Sequence, residues 1–318
     1  VRRSNGLVGP SHDVLEDWAI EKHLDVLRAE KTDLLAFTEA IGSEPAMNRA
    51  FRIWLLDGMT LTHTAEVQTL AQSILLDHRL ESYWQDETIA AVLMSPDPGA
   101  FLAKLEEDLF ANNGNLLQRF CFILRVACKA PHPLLVSAAE RGELLPLVPH
   151  GTGWVAMVRF MHANQDHIAP DLHHHIALLL EEWSSCIGID LPHPAGTREA
   201  GLLALGLLEE VKDDRRNEAQ KQLLKVIIKT VGETKDEFIQ LLERDVFFEG
   251  ERPSRSNRPS YVDELLRLLL VDPSCAFVCK HLPDAVIRLA YQEWMFQESK
   301  GPWYRAHHDV EEKFGLNK

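Results

Sequence analysis

No C-x-x-C pair occurs in the sequence, so it encodes neither a zinc ribbon nor a thioredoxin-type redox site. Cysteine is scarce altogether. The five residues, Cys121, Cys128, Cys186, Cys275 and Cys279, sit mostly among apolar helix-like neighbours and read as buried free thiols in a reducing cytoplasm. Long hydrophobic runs are missing: Gly201–Leu208 falls far short of the ~18 residues a membrane span needs. The N-terminus lacks the apolar stretch of a signal peptide. The P-loop string, the Rossmann glycine pattern, G-x-S-x-G and H-E-x-x-H are all absent, so no complete catalytic motif is visible and the chain reads as non-enzymatic. Positive charge is in deficit. With 33 Lys+Arg against 48 Asp+Glu, the formal charge of −15 argues against bulk binding of nucleic acid or anionic lipid. The chain also opens on Val1 rather than Met, which reads as a piece cut from a longer protein.

What is present is helix. Leu116, Phe120, Ile123, Leu124 and Ala127 recur at three- and four-residue spacing, an apolar stripe along one helix face. Asp97-Pro98 reads as a helix start, because Asp caps free N–H groups and Pro fits the first helical position. Thr234-Lys-Asp-Glu237 has the form of a capping box, and Ser260 reads as an N-cap with Asp263 at the third helical position. About fifteen helices are expected between Asp13 and Phe314, joined by short turns such as Asn112-Asn113-Gly114. Strand signal is confined to Gly6-Leu7-Val8-Gly9. The fold class expected is all-α, an irregular α-solenoid-like array with no fixed repeat period. Seven tryptophans, Trp18, Trp54, Trp84, Trp154, Trp183, Trp294 and Trp303, either fill gaps between helix pairs or anchor a partner.

One segment breaks the composition. Gly250–Ser260 holds two prolines, three serines and three arginines and reads as a linker or loop. Its Arg252, Arg255 and Arg258 form the densest basic feature of an acidic chain, a candidate contact for a phosphate or an acidic partner.

Histidine is abundant at fifteen copies, and His162, His167, His173, His174 and His175 cluster around Asp166 and Asp171. On an unbroken helix His167, Asp171 and His175 would share a face suited to a metal. Pro170 breaks that spacing, so a helix–helix corner is the preferred reading over a metal site. His307-His308-Asp309 invites comparison with the His-Asp pair of HD-type metal-dependent phosphohydrolases, which are also all-α; a helix start with Asp309 at its N-terminal dipole is the plainer reading.

The first helix carries most information. In Gly6-Leu-Val-Gly-Pro-Ser-His-Asp-Val-Leu-Glu-Asp-Trp-Ala19, Ser11 can cap, and His12 stands at the helix N-terminus where unpaired N–H groups attract an anion. This string resembles the end of the winged-helix domain in STAND NTPases, the class that includes NOD-like receptors, and Ser11-His12-Asp13 resembles the Met-His-Asp motif of the plant receptors. Glu44–Leu56, with its Pro45 and Arg49-Ala-Phe-Arg52, is similar to the helix that follows in large bacterial antiviral members. His281–Ala290 and Glu312–Leu316 are similar to their downstream helical region.

The resemblance implies a layout: a winged-helix remnant over 1–30, a helical array over 31–249, a linker over 250–260 and a C-terminal helical unit over 261–318. It implies His12 as a sensor of the ADP phosphates, with ATP, ADP and Mg belonging to the parent protein and no cofactor held within this chain. The expected function is that of a cytoplasmic, non-catalytic sensor/scaffold segment in antiviral defence. Its partners would be a protein target, such as a viral protein, and further copies of itself on activation; no membrane is involved. A stand-alone helical-repeat adaptor is the alternative, and an HD-like phosphohydrolase a third reading.

Overall fold

The computed structural model describes residues 12–31, 33–60, 64–131, 147–211, 218–248 and 258–299. The protein is all-α: fifteen α-helices, three short 3-10 turns and one small strand pair make up the regular structure of these residues. Among the described residues, no helix is long and apolar enough to cross a membrane. The chain divides into two compact units, Val1–His175 and Ile176–Lys318.

The first unit opens with α1 (His12–Glu30), α2 (Leu34–Ile41), α3 (Pro45–Thr60), α4 (Thr64–Leu76) and α5 (Ser82–Met94). Ile20, Leu24 and Leu27 repeat at four and three residues along α1, and this face packs into a core with Phe37, Phe51, Leu55, Ile74 and Trp84. The Phe51 and Trp84 rings meet edge-on, 4.8 Å between centroids, where α3 crosses α5. Asp33 starts α2 by accepting the Ala36 N–H.

Helix α6 (Pro98–Lys104) begins as expected, with Asp97 accepting the Ala100 N–H and Pro98 at the first position. The segment Glu106–Ala127, α7, is two helices in one: Asn112, Asn113 and Gly114 all take left-handed φ angles of 51°, 60° and 73° and break it. Asn and Gly are the residues that tolerate this region best, so the turn read from sequence is there. Phe120, Ile123 and Leu124 of the expected stripe are buried.

Next comes structure not anticipated. Lys129–Pro131 (β1) pairs antiparallel with Leu147–Pro149 (β2), Ala130 opposite Val148. Three-residue strands ending in proline are too short to show alternation in sequence. The strand expected at Gly6-Leu7-Val8-Gly9 lies outside the described residues, as does the segment before His12 in the winged-helix remnant. Helix α8 (Thr152–Ala163) follows, burying Trp154, Met157, Val158 and Met161. Gly153 brings it close against α5, because a Cβ there would run into the Leu93 carbonyl.

Helix α9 (His173–Trp183) contains the division between the units. The second unit continues with α10 (Thr197–Val211), α11 (Glu218–Thr230), α12 (Lys235–Asp245), α13 (Val262–Leu270), α14 (Cys275–His281) and α15 (Pro283–Ser299). Leu223, Leu224, Val226, Ile227 and Ile228 of α11 are fully buried, so apolar side chains face inward around most of its circumference. That makes it the central helix, packed by α10, α13 and α14. Gly201 lets α10 approach it: an added Cβ would lie 2.6 Å from Thr230 Oγ1 and 2.7 Å from Thr234 Cγ2.

Two caps differ from expectation in their chemistry. Thr234 is the N-cap of α12, yet its hydroxyl donates backward to the Thr230 carbonyl, and Glu237 pairs with Arg198 at 2.6 Å. Ser260 does not cap α13; Tyr261 occupies that place, and the Ser260 hydroxyl instead exchanges hydrogen bonds with the buried Gln220 amide. The Ser260 hydroxyl is thus taken by a side chain on another helix, and the Thr234 hydroxyl by a carbonyl four residues back instead of the N–H groups ahead of it.

Candidate functional site

Three helices of the first unit frame a groove of about 560 Å³. Helix α1 contributes Glu21, Lys22, Asp25 and Arg28, which follow one another within two turns beside its core-facing stripe. Trp54, Asp57 and Gly58 come from α3, and Glu66, Val67 and Leu70 from α4. Gly58 permits this arrangement, since a Cβ on it would sit 2.8 Å from Val67 Cγ2.

The indole of Trp54 is the fixed element. Its N–H donates to Asp25 Oδ1 at 2.8 Å, and its ring lies 5.8 Å from Phe37 and 5.9 Å from Phe51. Lys22 Nζ reaches the other Asp25 oxygen at 3.0 Å. Burial raises the Asp25 pKa, but the hydrogen bonds from Trp54 and Lys22 outweigh it and hold the carboxyl below its ordinary value of 3.8. Asp25 is therefore ionised throughout the physiological range. Arg28 is engaged elsewhere, stacking 5.5 Å over the Phe37 ring and donating to the Lys31 carbonyl at 3.0 Å.

Four carboxylates, Glu21, Asp25, Asp57 and Glu66, thus line the groove with Lys22, Arg28 and the Trp54 indole. None of the lining residues is His, Cys, Ser or Tyr. Carboxylates around an immobilised indole attract and orient a cation, by charge and through the ring.

Two shallower hollows, about 340 and 460 Å³, flank Arg119 on α7. Arg119 is committed within the chain: Nε donates to Asp86 at 2.6 Å, and its terminal nitrogens to Gln85 and the Ser82 carbonyl. Beside it, His175 Nε2 lies 2.7 Å from the Gln118 amide. Burial, then His174 and Arg125, lowers the His175 pKa, which favours the neutral ring.

The residues singled out by sequence are distributed as follows. His12 is the first residue of α1, at the helix N-terminus as expected, and its side chain lies outside the described residues. Arg252 and Arg255 lie outside them too, as do His307-His308-Asp309 and Trp303. Arg258 is described: its guanidinium pairs with Asp263 at 3.1 Å and is only 13% exposed.

The histidine cluster is divided among elements. His167 ends a 3-10 turn (Gln165–His167), Asp171 lies in a second (Pro170–Leu172), and His175 is in α9. Pro170 starts that second turn from an extended Ala169, so the shared helix face does not form. Among the described residues, no three His, Cys, Asp or Glu side chains come together as a set able to hold a metal ion. The tryptophans split in kind. Trp84, Trp154 and Trp183 are buried, Trp54 is half-buried in the groove, and Trp294 is exposed.

The groove itself was not foreseen. Asp25 and Trp54 stand 29 positions apart on different helices, and no local spacing joins them. No protein-family model matches this chain, and no curated protein matches it.

Proposed function

We propose that the chain is a non-catalytic binding segment that captures a basic side chain of a protein partner in the Trp54 groove. The observation that carries this reading is the 2.8 Å bond from the Trp54 N–H to Asp25 inside a groove with four carboxylates and two cations. A lysine or arginine entering there meets ionised oxygens and an aromatic face already held in place, so little ordering is required at binding. The overall excess of acid steers a basic partner toward the surface before contact.

The finer assignment rests on the resemblance of Ser11-His12-Asp13 and of Glu44–Leu56. In that reading the chain is the cytoplasmic sensor/scaffold region of a bacterial STAND NTPase in antiviral defence. Target capture is then coupled to a nucleotide switch elsewhere in the parent protein, with His12 near the ADP phosphates and Arg252 and Arg255 as a second contact; Arg258 is taken by Asp263 within the chain. Such coupling requires a target that binds one arrangement of the parent more tightly than the other.

The test of the groove uses a hexa-arginine peptide, titrated calorimetrically at low salt against the whole chain. Asp25→Asn combined with Asp57→Asn is expected to weaken binding about tenfold, while the same charge loss through Glu39→Gln and Glu107→Gln leaves it nearly unchanged. Equal effects from both pairs would reduce the interaction to net charge and remove the groove from the account.

A further inference from the structure

Residues 187–196 join a 3-10 turn (Ser184–Cys186) to α10 and contain neither helix nor strand. Two other parts of the second unit hold this loop down. Lys280 of α14 donates to the Ile189 carbonyl and lies 3.2 Å from Asp190 Oδ1. His193 Nδ1 lies 2.8 Å from Glu233 Oε1, in the turn between α11 and α12. A carboxylate only accepts, so the proton of that bond sits on Nδ1. Arg198 of α10 donates to the Glu233 carbonyl and steadies the same turn.

Where loop, turn and α14 meet, the His193 and His281 rings pack with centroids 5.9 Å apart. Both crowd Gly232: a Cβ there would lie 2.5 Å from His193 Cε1 and 3.0 Å from both Cε1 and Nε2 of His281. His281 Nε2 is buried and has no hydrogen-bond partner. A neutral imidazole can leave that nitrogen as a bare acceptor at modest cost. An imidazolium cannot, because both its nitrogens carry protons and a charged N–H would be buried with nothing to accept it. The surroundings add to this. Lys280 adjoins His281 on α14, Lys235 faces it from α12 and His193 from the loop, while Glu233 is the acid that opposes them. Burial first, then Lys235, His193 and Lys280, lowers the His281 pKa from its ordinary 6.5 despite Glu233. Among the described residues no set of three metal-ligating side chains forms, and two lysines beside the pair repel a cation. The ligand that suits this junction is a proton.

We propose that His281 is an acid-sensitive latch: as a neutral ring it closes the 187–196 loop against the 231–234 turn and α14, and on protonation it leaves the junction and frees the loop. The contacts that remain cannot hold the loop alone, since the Glu233 and Asp190 side chains are 45% and 92% exposed. The direction with pH follows from linkage. A histidine pKa lowered in the folded chain means the neutral ring contributes its full stability above the unfolded value of 6.5, and loses it as pH falls from there to the folded value. The proposal is independent of the groove reading, since it involves neither α1 nor Trp54.

The experiment is hydrogen exchange on the whole chain at about pH 7.5 and about pH 5.5, each amide corrected for its intrinsic rate. The Ile187 and Leu191 amides, bonded to the Ser184 and Gly188 carbonyls, report on the loop. Their protection is expected to fall at least about threefold on acidification, with the buried amides of α11 unchanged. His281→Phe keeps a flat ring against Gly232 and cannot take up a proton, so its loop is expected to stay protected at both pH values. No response in the original chain, an equal response in His281→Phe, or one shared by α11 would each overturn the proposal. A second reading needs no substitution. In an NMR titration, the His281 ring and the loop amides are expected to share one midpoint below 6.5, and separate midpoints would overturn the latch as well.

Discussion

Trp54 in the first unit and Trp294 in the second are the two described indoles outside the buried core, and their surroundings differ in kind. Trp54 has its N–H bound to Asp25, its ring between two phenylalanines, and ionised groups around it. Trp294 stands 56% exposed beside Tyr291, among Ile287 and Met295. A fixed indole among carboxylates favours a small charged group that arrives and leaves. An exposed indole on an apolar helix stripe gains most by excluding water over a long contact, as a packed helix does. The same residue type is thus held among charged side chains in one unit and left exposed on an apolar stripe in the other.

The units also differ in how they tolerate close helix approach, and this comparison carries the largest expected effect. At Gly153 the obstacle to a Cβ is the Leu93 carbonyl, which is backbone inside a helix. At Gly201 the obstacles are the Thr230 hydroxyl and the Thr234 methyl, side-chain atoms that can rotate. Gly153→Ala is therefore expected to destabilise by about 3 kcal/mol, and Gly201→Ala by about 1 kcal/mol after the helix-propensity gain of alanine. Urea unfolding of both variants decides it. A larger loss for Gly201→Ala would show that the second unit is the less adaptable.

A middle-sized effect is expected at Tyr261, which is fully buried in the second unit. Its hydroxyl donates to Asp245, which also receives Arg244, and Arg244 reaches Glu209. Burial and then the Asp245 bond push the Tyr261 hydroxyl well above its ordinary value, so it remains a donor. Tyr261→Phe keeps the ring and leaves Asp245 one donor short, for a loss of about 1–2 kcal/mol. Unchanged unfolding would mean that water replaces the hydroxyl.

How much of this was legible in sequence depends on the range of the interaction. Asp97-Pro98, the Phe120–Leu124 stripe and the Asn112-Asn113-Gly114 turn are decided within one or two helical turns, and all three stand in the structure. Thr234 and Ser260 marked helix starts, but Thr230 in one case and Gln220 in the other took their hydroxyls. The strand pair was hidden by its prolines and its length. The groove could not be read at all: Asp25, Trp54 and Glu66 are ordinary surface and stripe residues until α1, α3 and α4 pack together.

The smallest effect concerns what holds Trp54 in place, and it is read through pH. The Asp25 carboxyl titrates below 3.8 in the folded chain because the Trp54 and Lys22 bonds outweigh its burial. A depressed folded value means the carboxylate adds stability above the unfolded pKa, and this is lost as pH falls through the folded one. Trp54→Phe removes one of those bonds while keeping an aromatic ring between Phe37 and Phe51. The Asp25 pKa should then rise, which carboxyl chemical shifts report directly. The stability gap between the original chain and the variant should be wider at pH 7 than at pH 3. Because the Asp25 side chain is 51% exposed, solvent screening limits that pH-dependent part to a few tenths of a kcal/mol. An Asp25 titration unmoved by the substitution would mean that Lys22 alone holds the carboxylate. Trp54 would then be a packed ring like Trp84, and the contrast with Trp294 would narrow to a difference in exposure.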